Sequence, residues 1–165
     1  NEEEKMEAET MKLLGTLDGA SVRSYSARMS AHCNRVAVED GHTESVSIKL
    51  RTPATREQVL AAWREFQPLA QYQLPTAPAQ PVEFLAAEDR PQPKLDRMRG
   101  AGMAATVGRL RPCSLLDWKF IVLSHNTIRG AAGAAVLNAE LLMTLGKLSG
   151  TREPHPVIAA AAVPA

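Results

Sequence analysis

The chain has 165 residues, 45% of them apolar, with a formal net charge of +1 and two cysteines. That length supports one ordinary domain with a real core. The scattered, nearly balanced charge argues against nucleic acid or an anionic membrane as the main partner. Cys33 and Cys113 form no CxxC pair and no metal-ligand spacing. A disulfide framework is therefore not expected, and a reducing cytoplasm fits. Residues 1–12 are dominated by charge, unlike a secretory leader. The alanine-rich run 130–137 is too short and too interrupted to span a bilayer.

Residues 2–14 form a helical pattern with acids early and Lys12 late, an order that suits the helix dipole, and Gly15 is a plausible C-cap. Residues 16–27 are polar and turn-rich and read as a loop. Residues 28–39 read as a long strand whose Val36 and Val38 face the core, which puts Arg35 on the opposite face. A tight Asp40-Gly41 turn follows, then a second strand over 44–51 with Val46, Ile48 and Leu50 on one face. Thr52-Pro53-Ala54-Thr55 starts a helix that runs to Phe66, with Val59, Leu60, Trp63 and Phe66 at helical spacing. Residues 67–80 read as a loop and 81–85 as a short strand. The connector 89–97 is stiffened by prolines and is not expected to be helical. Two more strands follow, over 103–110 and 115–124, and a long helix over 127–147. Residues 151–165 read as a poorly ordered tail. Strands in sequence with helices grouped beside them predict an α+β fold: one mixed or antiparallel sheet with helices on one face. No glycine fingerprint of a dinucleotide-binding unit is present.

Several residues stand out chemically. Arg35 and His42 flank the Asp-Gly turn, which resets the strand alternation and is expected to bring both to one cleft. A guanidinium grips a carboxylate in two places, and an imidazole, whose unperturbed pKa lies near neutrality, moves protons. The bland alternatives are a strand salt bridge and a turn histidine. Glu2 and Lys5 stand at i and i+3 on one helix face, which by itself reads as a solvated ion pair worth little. Asn126 precedes the last helix and reads as its N-cap. Cys33 lies two residues from Arg35 but has no neighbour in sequence that would depress its pKa. Cys113 reads as structural, and His32, His125 and His155 show no partner pattern.

The run Cys33-Asn34-Arg35-Val36-Ala37-Val38-Glu39-Asp40-Gly41-His42-Thr43-Glu44 resembles the catalytic-histidine signature of aspartate-semialdehyde dehydrogenases, nearer the archaeal and fungal branch. Glu2-Glu3-Glu4-Lys5, the connector 89–97 and Ser124-His125-Asn126-Thr127 with Gly130-Ala131-Ala132-Gly133 resemble three further elements of that family, in the same order. Ala37 stands where the family usually has proline. The resemblance implies a C-terminal domain like that of glyceraldehyde-3-phosphate dehydrogenase. It implies a catalytic and dimerisation domain over 1–124, a helix over 125–149 that returns to an NADP-binding Rossmann domain outside this chain, and a tail over 150–165. It assigns acid/base work to His42, the substrate α-carboxylate to Arg35, the amino group to Glu2, phosphate to Lys5, and NADP to Asn126. The implied reaction is NADPH-dependent reductive dephosphorylation of 4-aspartyl phosphate to aspartate 4-semialdehyde, on the route to lysine, threonine, methionine and isoleucine. The implied assembly is a homo-oligomer, dimer or tetramer, in the cytoplasm. The nucleophilic cysteine of the family lies in a different motif, so the chain alone is expected to be inactive. Two alternatives stay open: an acyl reductase acting on malonyl-CoA or another thioester with the same scaffold, and a non-catalytic dimerisation fragment.

Overall fold

The structure is a computed structural model that describes residues 2–148. The expected tail falls outside the described residues. The chain divides into two compact units at the Ala37–Val38 junction.

The first unit holds helix α1 (Glu2–Leu13) and a small antiparallel hairpin, β1 (Thr16–Asp18) with β2 (Ser21–Arg23). Three acids in the first turn of α1 and Lys12 in its last complement the helix dipole, as expected. The hairpin corrects the loop expected over 16–27. Its strands pair Asp18 with Ser21 across a two-residue turn, Gly19-Ala20, whose first position has φ +61 and suits glycine. The expected strand over 28–39 is also corrected. Residues 24–36 form no strand and pair with none, and Val36 (68% exposed) and Val38 (41% exposed) face no core.

The second unit is built on a four-stranded mixed sheet in the order β3-β6-β5-β4. Strand β3 (His42–Ile48) is antiparallel to β6 (Trp118–Ser124), β6 is antiparallel to β5 (Ala105–Pro112), and β5 is parallel to β4 (Val82–Leu85). The mixed sheet with helices is thus the fold class read from the pattern. Helix α2 (Arg56–Glu65) starts where the sequence places it. The Thr55 hydroxyl accepts from Gln58 N–H and the Gln58 side chain accepts from Thr55 N–H, a reciprocal capping box. Its Val59 and Trp63 pack on Val107, Phe120, Val46, Ile48 and Phe84, which come from one face of the sheet. Trp63 meets Phe120 edge-on at 5.0 Å and stacks on Phe84 at 6.3 Å. Trp118 Nε1 donates to the Ala54 carbonyl at 3.1 Å, tying β6 to the chain entering α2.

The opposite face, carrying Thr106 and Leu123, is also buried. The connector after β4 runs close to it: a Cβ at Gly108 would collide with the Arg90 carbonyl, so only glycine permits that approach. The connector contains a short helix α3 (Pro93–Asp96), contrary to expectation. Pro93 occupies its first turn, where the missing N–H costs nothing. Asp96, 1% exposed, accepts from Arg90 Nε at 2.7 Å and from Arg90 Nη2, and also from Gln92 N–H at 2.7 Å. Burial pushes the Asp96 carboxyl up, but these hydrogen bonds and the nearby Arg90 and Arg99 charges outweigh it and hold the group below its ordinary value.

The final helix is split. A π-helical turn (Ile128–Ala132) precedes helix α4 (Gly133–Thr144). Leu137 of α4 joins Leu74 and Met103 in a second core, with Ile128 and Leu141 beside them. Val136 and Met143 of the same helix stay exposed.

Candidate functional site

In the first unit, the segment 31–35 runs antiparallel to α1 and is held by glutamates. Glu7 Oε1 accepts from Ala31 N–H at 2.8 Å, and Glu3 Oε1 accepts from Cys33 N–H at 2.7 Å. The spacing explains the fit. Four helical residues rise about 6.0 Å, and two extended residues span about 6.6 Å, so carboxylates at i and i+4 match alternate N–H groups of an extended chain. Two residues further along, Arg35 Nη2 donates to Glu2 Oε2 at 2.6 Å. The Arg35 side chain is 85% exposed and that of Glu2 43%, so this pair adds little to stability. It places an accessible guanidinium beside an accessible carboxylate.

Lys5 does not pair with Glu2, as the i, i+3 spacing suggests. It lies 3.7 Å from Glu9 on the next turn, both side chains exposed. The ammonium thus stays exposed on the surface of α1, one turn from the Glu2–Arg35 pair and in a weak surface pair with Glu9. The thiol of Cys33 is pushed up, first by partial burial and then by Glu2 and Glu3, against a smaller opposing effect of Arg35. Its Sγ lies 3.4 Å from Met6 Sδ. Both facts support the sequence reading that Cys33 is not an activated nucleophile.

In the second unit, His42 is the first residue of β3 and pairs opposite Ser124 of β6. Its imidazole is exposed. The turn before it is anchored from two sides. Glu39 Oε2 accepts from Arg97 Nη2 at 2.6 Å, and Asn126 Oδ1 accepts from Gly41 N–H at 2.9 Å. Gly41 has φ +111, and a Cβ there would lie 3.0 Å from Leu123 Cδ1. The turn therefore needs glycine both for its backbone conformation and for its packing.

Asn126 does not cap the last helix. The N-cap position is Thr127, whose side chain makes no cap bond, and the chain entering the helix is held instead by His125, which is 4% exposed: its Nδ1 accepts from Thr127 N–H and Ile128 N–H, both at 3.3 Å. An Nδ1 that accepts two N–H groups leaves the ring proton on Nε2. Sequence reasoning found no partner for His125, because its bonds go to backbone N–H groups two and three residues on, while the neighbouring asparagine is a favoured N-cap type. It also missed Glu3, Glu7 and Arg97, whose roles depend on which segment lies against them. Cys113, expected to be structural, has its thiol lowered by hydrogen bonds from Leu115 and Leu116 N–H, with smaller help from Ser47 and Lys119. Both cysteines are free.

Arg35, Glu2 and Lys5 thus fall in the first unit, and His42 and Asn126 in the second. Among the described residues no group of three or more His, Cys, Asp or Glu side chains could hold a metal ion, and no helix is long and apolar enough to cross a membrane.

The family described as semialdehyde dehydrogenase, dimerisation domain, matches residues 1–129. The chain is 46% identical over 142 residues to the aspartate-semialdehyde dehydrogenase of Archaeoglobus fulgidus, covering 86% of this chain and 40% of that relative. It is 48% identical over 151 residues to the Saccharomyces cerevisiae enzyme of the same name, covering 86% of this chain and 41% of that one. Among solved structures, the aspartate-semialdehyde dehydrogenase of Candida albicans with NADP superposes with a TM-score of 0.79 at 43% identity, covering 89% of this chain and 43% of that one. The chain therefore spans about two fifths of the length of these relatives.

Proposed function

The chain belongs to the semialdehyde dehydrogenase family, dimerisation domain, and from that premise we propose that it is the substrate-anchoring and dimerisation part of an NADP-dependent aspartate-semialdehyde dehydrogenase. The observation that carries the reading is the Arg35–Glu2 pair. An amino acid presents a carboxylate and an ammonium on one carbon, and its recognition needs a cation beside an anion. Arg35 and Glu2, 2.6 Å apart and exposed, supply that arrangement. Substrate binding exchanges their mutual ion pair for two pairs with the ligand. A thioester substrate without an amino group would leave Glu2 unpaired, which favours an aspartyl substrate over a malonyl-CoA type.

Lys5, whose ammonium is exposed on the same helix, takes the phosphate as a mobile point cation. His42 moves the proton at the oxygen of the reacting carbonyl carbon. NADPH supplies hydride when bound. Asn126 fits a cofactor contact because its Oδ1 is engaged by Gly41 N–H while its Nδ2 group remains a donor for a carboxamide oxygen. Helix α4 buries Leu137 in its own unit and leaves Val136 and Met143 exposed, which supports a covering domain on that side. The product of that reduction is aspartate 4-semialdehyde, and the family's description as a dimerisation domain supports a homo-oligomer. Two free thiols suit a reducing compartment such as the cytoplasm.

The test is steady-state NADP reduction by the full-length protein with aspartate 4-semialdehyde and phosphate. Arg35→Ala should raise KM for the semialdehyde by about 100-fold, because a bidentate charge-assisted contact is lost. Phosphate KM should change far less. An unchanged semialdehyde KM would remove Arg35 from the carboxylate site.

A further inference from the structure

We propose that Asn126 is a positioning residue for His42, acting through the Gly41 N–H; the proposal rests on His42 being the acid/base group. The segment 39–41 pairs with no strand, yet it sets where β3 begins and hence where His42 stands. Two polar anchors hold it: Arg97 on Glu39 at 2.6 Å and Asn126 on Gly41 at 2.9 Å. The Glu39 side chain is 77% exposed, so its pair with Arg97 is screened by solvent. The Gly41 contact is half-buried, directly adjoins His42, and is made at a backbone with φ +111 that few alternatives would hold. Asn126 itself is held in place by its chain neighbours. His125, buried, fastens the backbone of Thr127 and Ile128, and Ser124 is paired with His42 across β6 and β3. The asparagine oxygen and the histidine are therefore referenced to the same strand pair, one through side chain and one through backbone.

The chemistry of the amide makes the idea separable from a cofactor contact. Positioning uses the acceptor oxygen, whereas a carboxamide contact uses the NH2 donor. Asn126→Asp keeps an acceptor and removes the donor. Asn126→Ala removes both.

The experiment is a double-mutant cycle on the full-length protein: wild type, Asn126→Ala, Asn126→Asp, His42→Ala, and Asn126→Ala combined with His42→Ala, each with melting temperature recorded. Asn126→Ala should lower kcat by about ten- to a hundredfold, the scale of a misplaced catalytic group, with the semialdehyde KM nearly unchanged. Asn126→Asp should restore most of that kcat, and any rise in NADP KM it shows reports the lost donor together with the added negative charge. In the His42→Ala background, Asn126→Ala should have no further effect on kcat. The proposal is overturned if the Asn126→Ala loss persists undiminished without His42, or if Asn126→Asp is as slow as Asn126→Ala at equal melting temperature. If His42→Ala alone leaves turnover intact, the assignment of His42 fails rather than the positioning geometry.

Discussion

Replacing His42 by alanine in the full-length protein should lower kcat by about 10²–10⁴-fold, the usual contribution of a positioned general acid/base group. The loss should fall on kcat and leave the semialdehyde KM close to wild type, because on the proposed reading the substrate head is held by Arg35 and Glu2 of the first unit and not by His42. The structural cost should be small. His42 is exposed at the start of β3, and its place in the sheet depends on backbone pairing with Ser124 rather than on its ring. The ratio of kcat for wild type and variant, with melting temperatures alongside, checks this. Equal turnover would remove His42 from the chemistry.

Replacing Asp96 by alanine should be the most damaging single change to folding. Its carboxylate is fully buried and accepts from Arg90 Nε and Nη2 and from the Gln92 N–H that opens α3. Deleting one partner of such a pair strands the other, at a cost of about 3 kcal/mol. For a chain of this size that corresponds to about 10 °C in melting temperature. The pH dependence follows from the lowered carboxyl. Its ionised form stabilises the fold fully above the unfolded carboxyl pKa of about 3.9, and that contribution is lost as pH falls through the lower folded value. Asp96→Asn should therefore be less stable than wild type at pH 7, and the gap should narrow on acidification below about pH 4. Thermal melts across pH measure this. A gap independent of pH would mean that Asp96 acts through shape and not through charge.

The parts of the fold legible in the sequence were those whose own residues close the argument. Thr55 and Gln58 announce α2 because both halves of the capping box lie within four residues. Val46, Ile48 and Leu50 announce β3 and the chain after it because all three pack on one core. The misread parts depended on what lies opposite. Val36 and Val38 alternate like a half-buried strand, but their backbone meets no sheet, and glutamates of α1 satisfy the N–H groups just before them. Pro91 and Pro93 suggested a helix-free connector, whereas Pro93 stands at the one position where a helix accepts proline. The site divides the same way. Motifs around Glu2 and Arg35 in the first unit and around His42 in the second pointed to the proposed chemistry. The 2.6 Å approach of Glu2 to Arg35 joins residues 33 apart, and the bond from Asn126 to Gly41 joins residues 85 apart. Neither separation carries a local signal.

The central claim is that the first unit reads the head group of an amino acid. The direct measurement is kcat/KM of the full-length protein, with NADP and phosphate, for aspartate 4-semialdehyde against succinate semialdehyde, which lacks only the amino group. A site that pairs Glu2 with an ammonium should reject the analogue by about 10⁴-fold, because the missing group leaves a committed carboxylate unpaired. Comparable kcat/KM values for the two aldehydes would contradict the account.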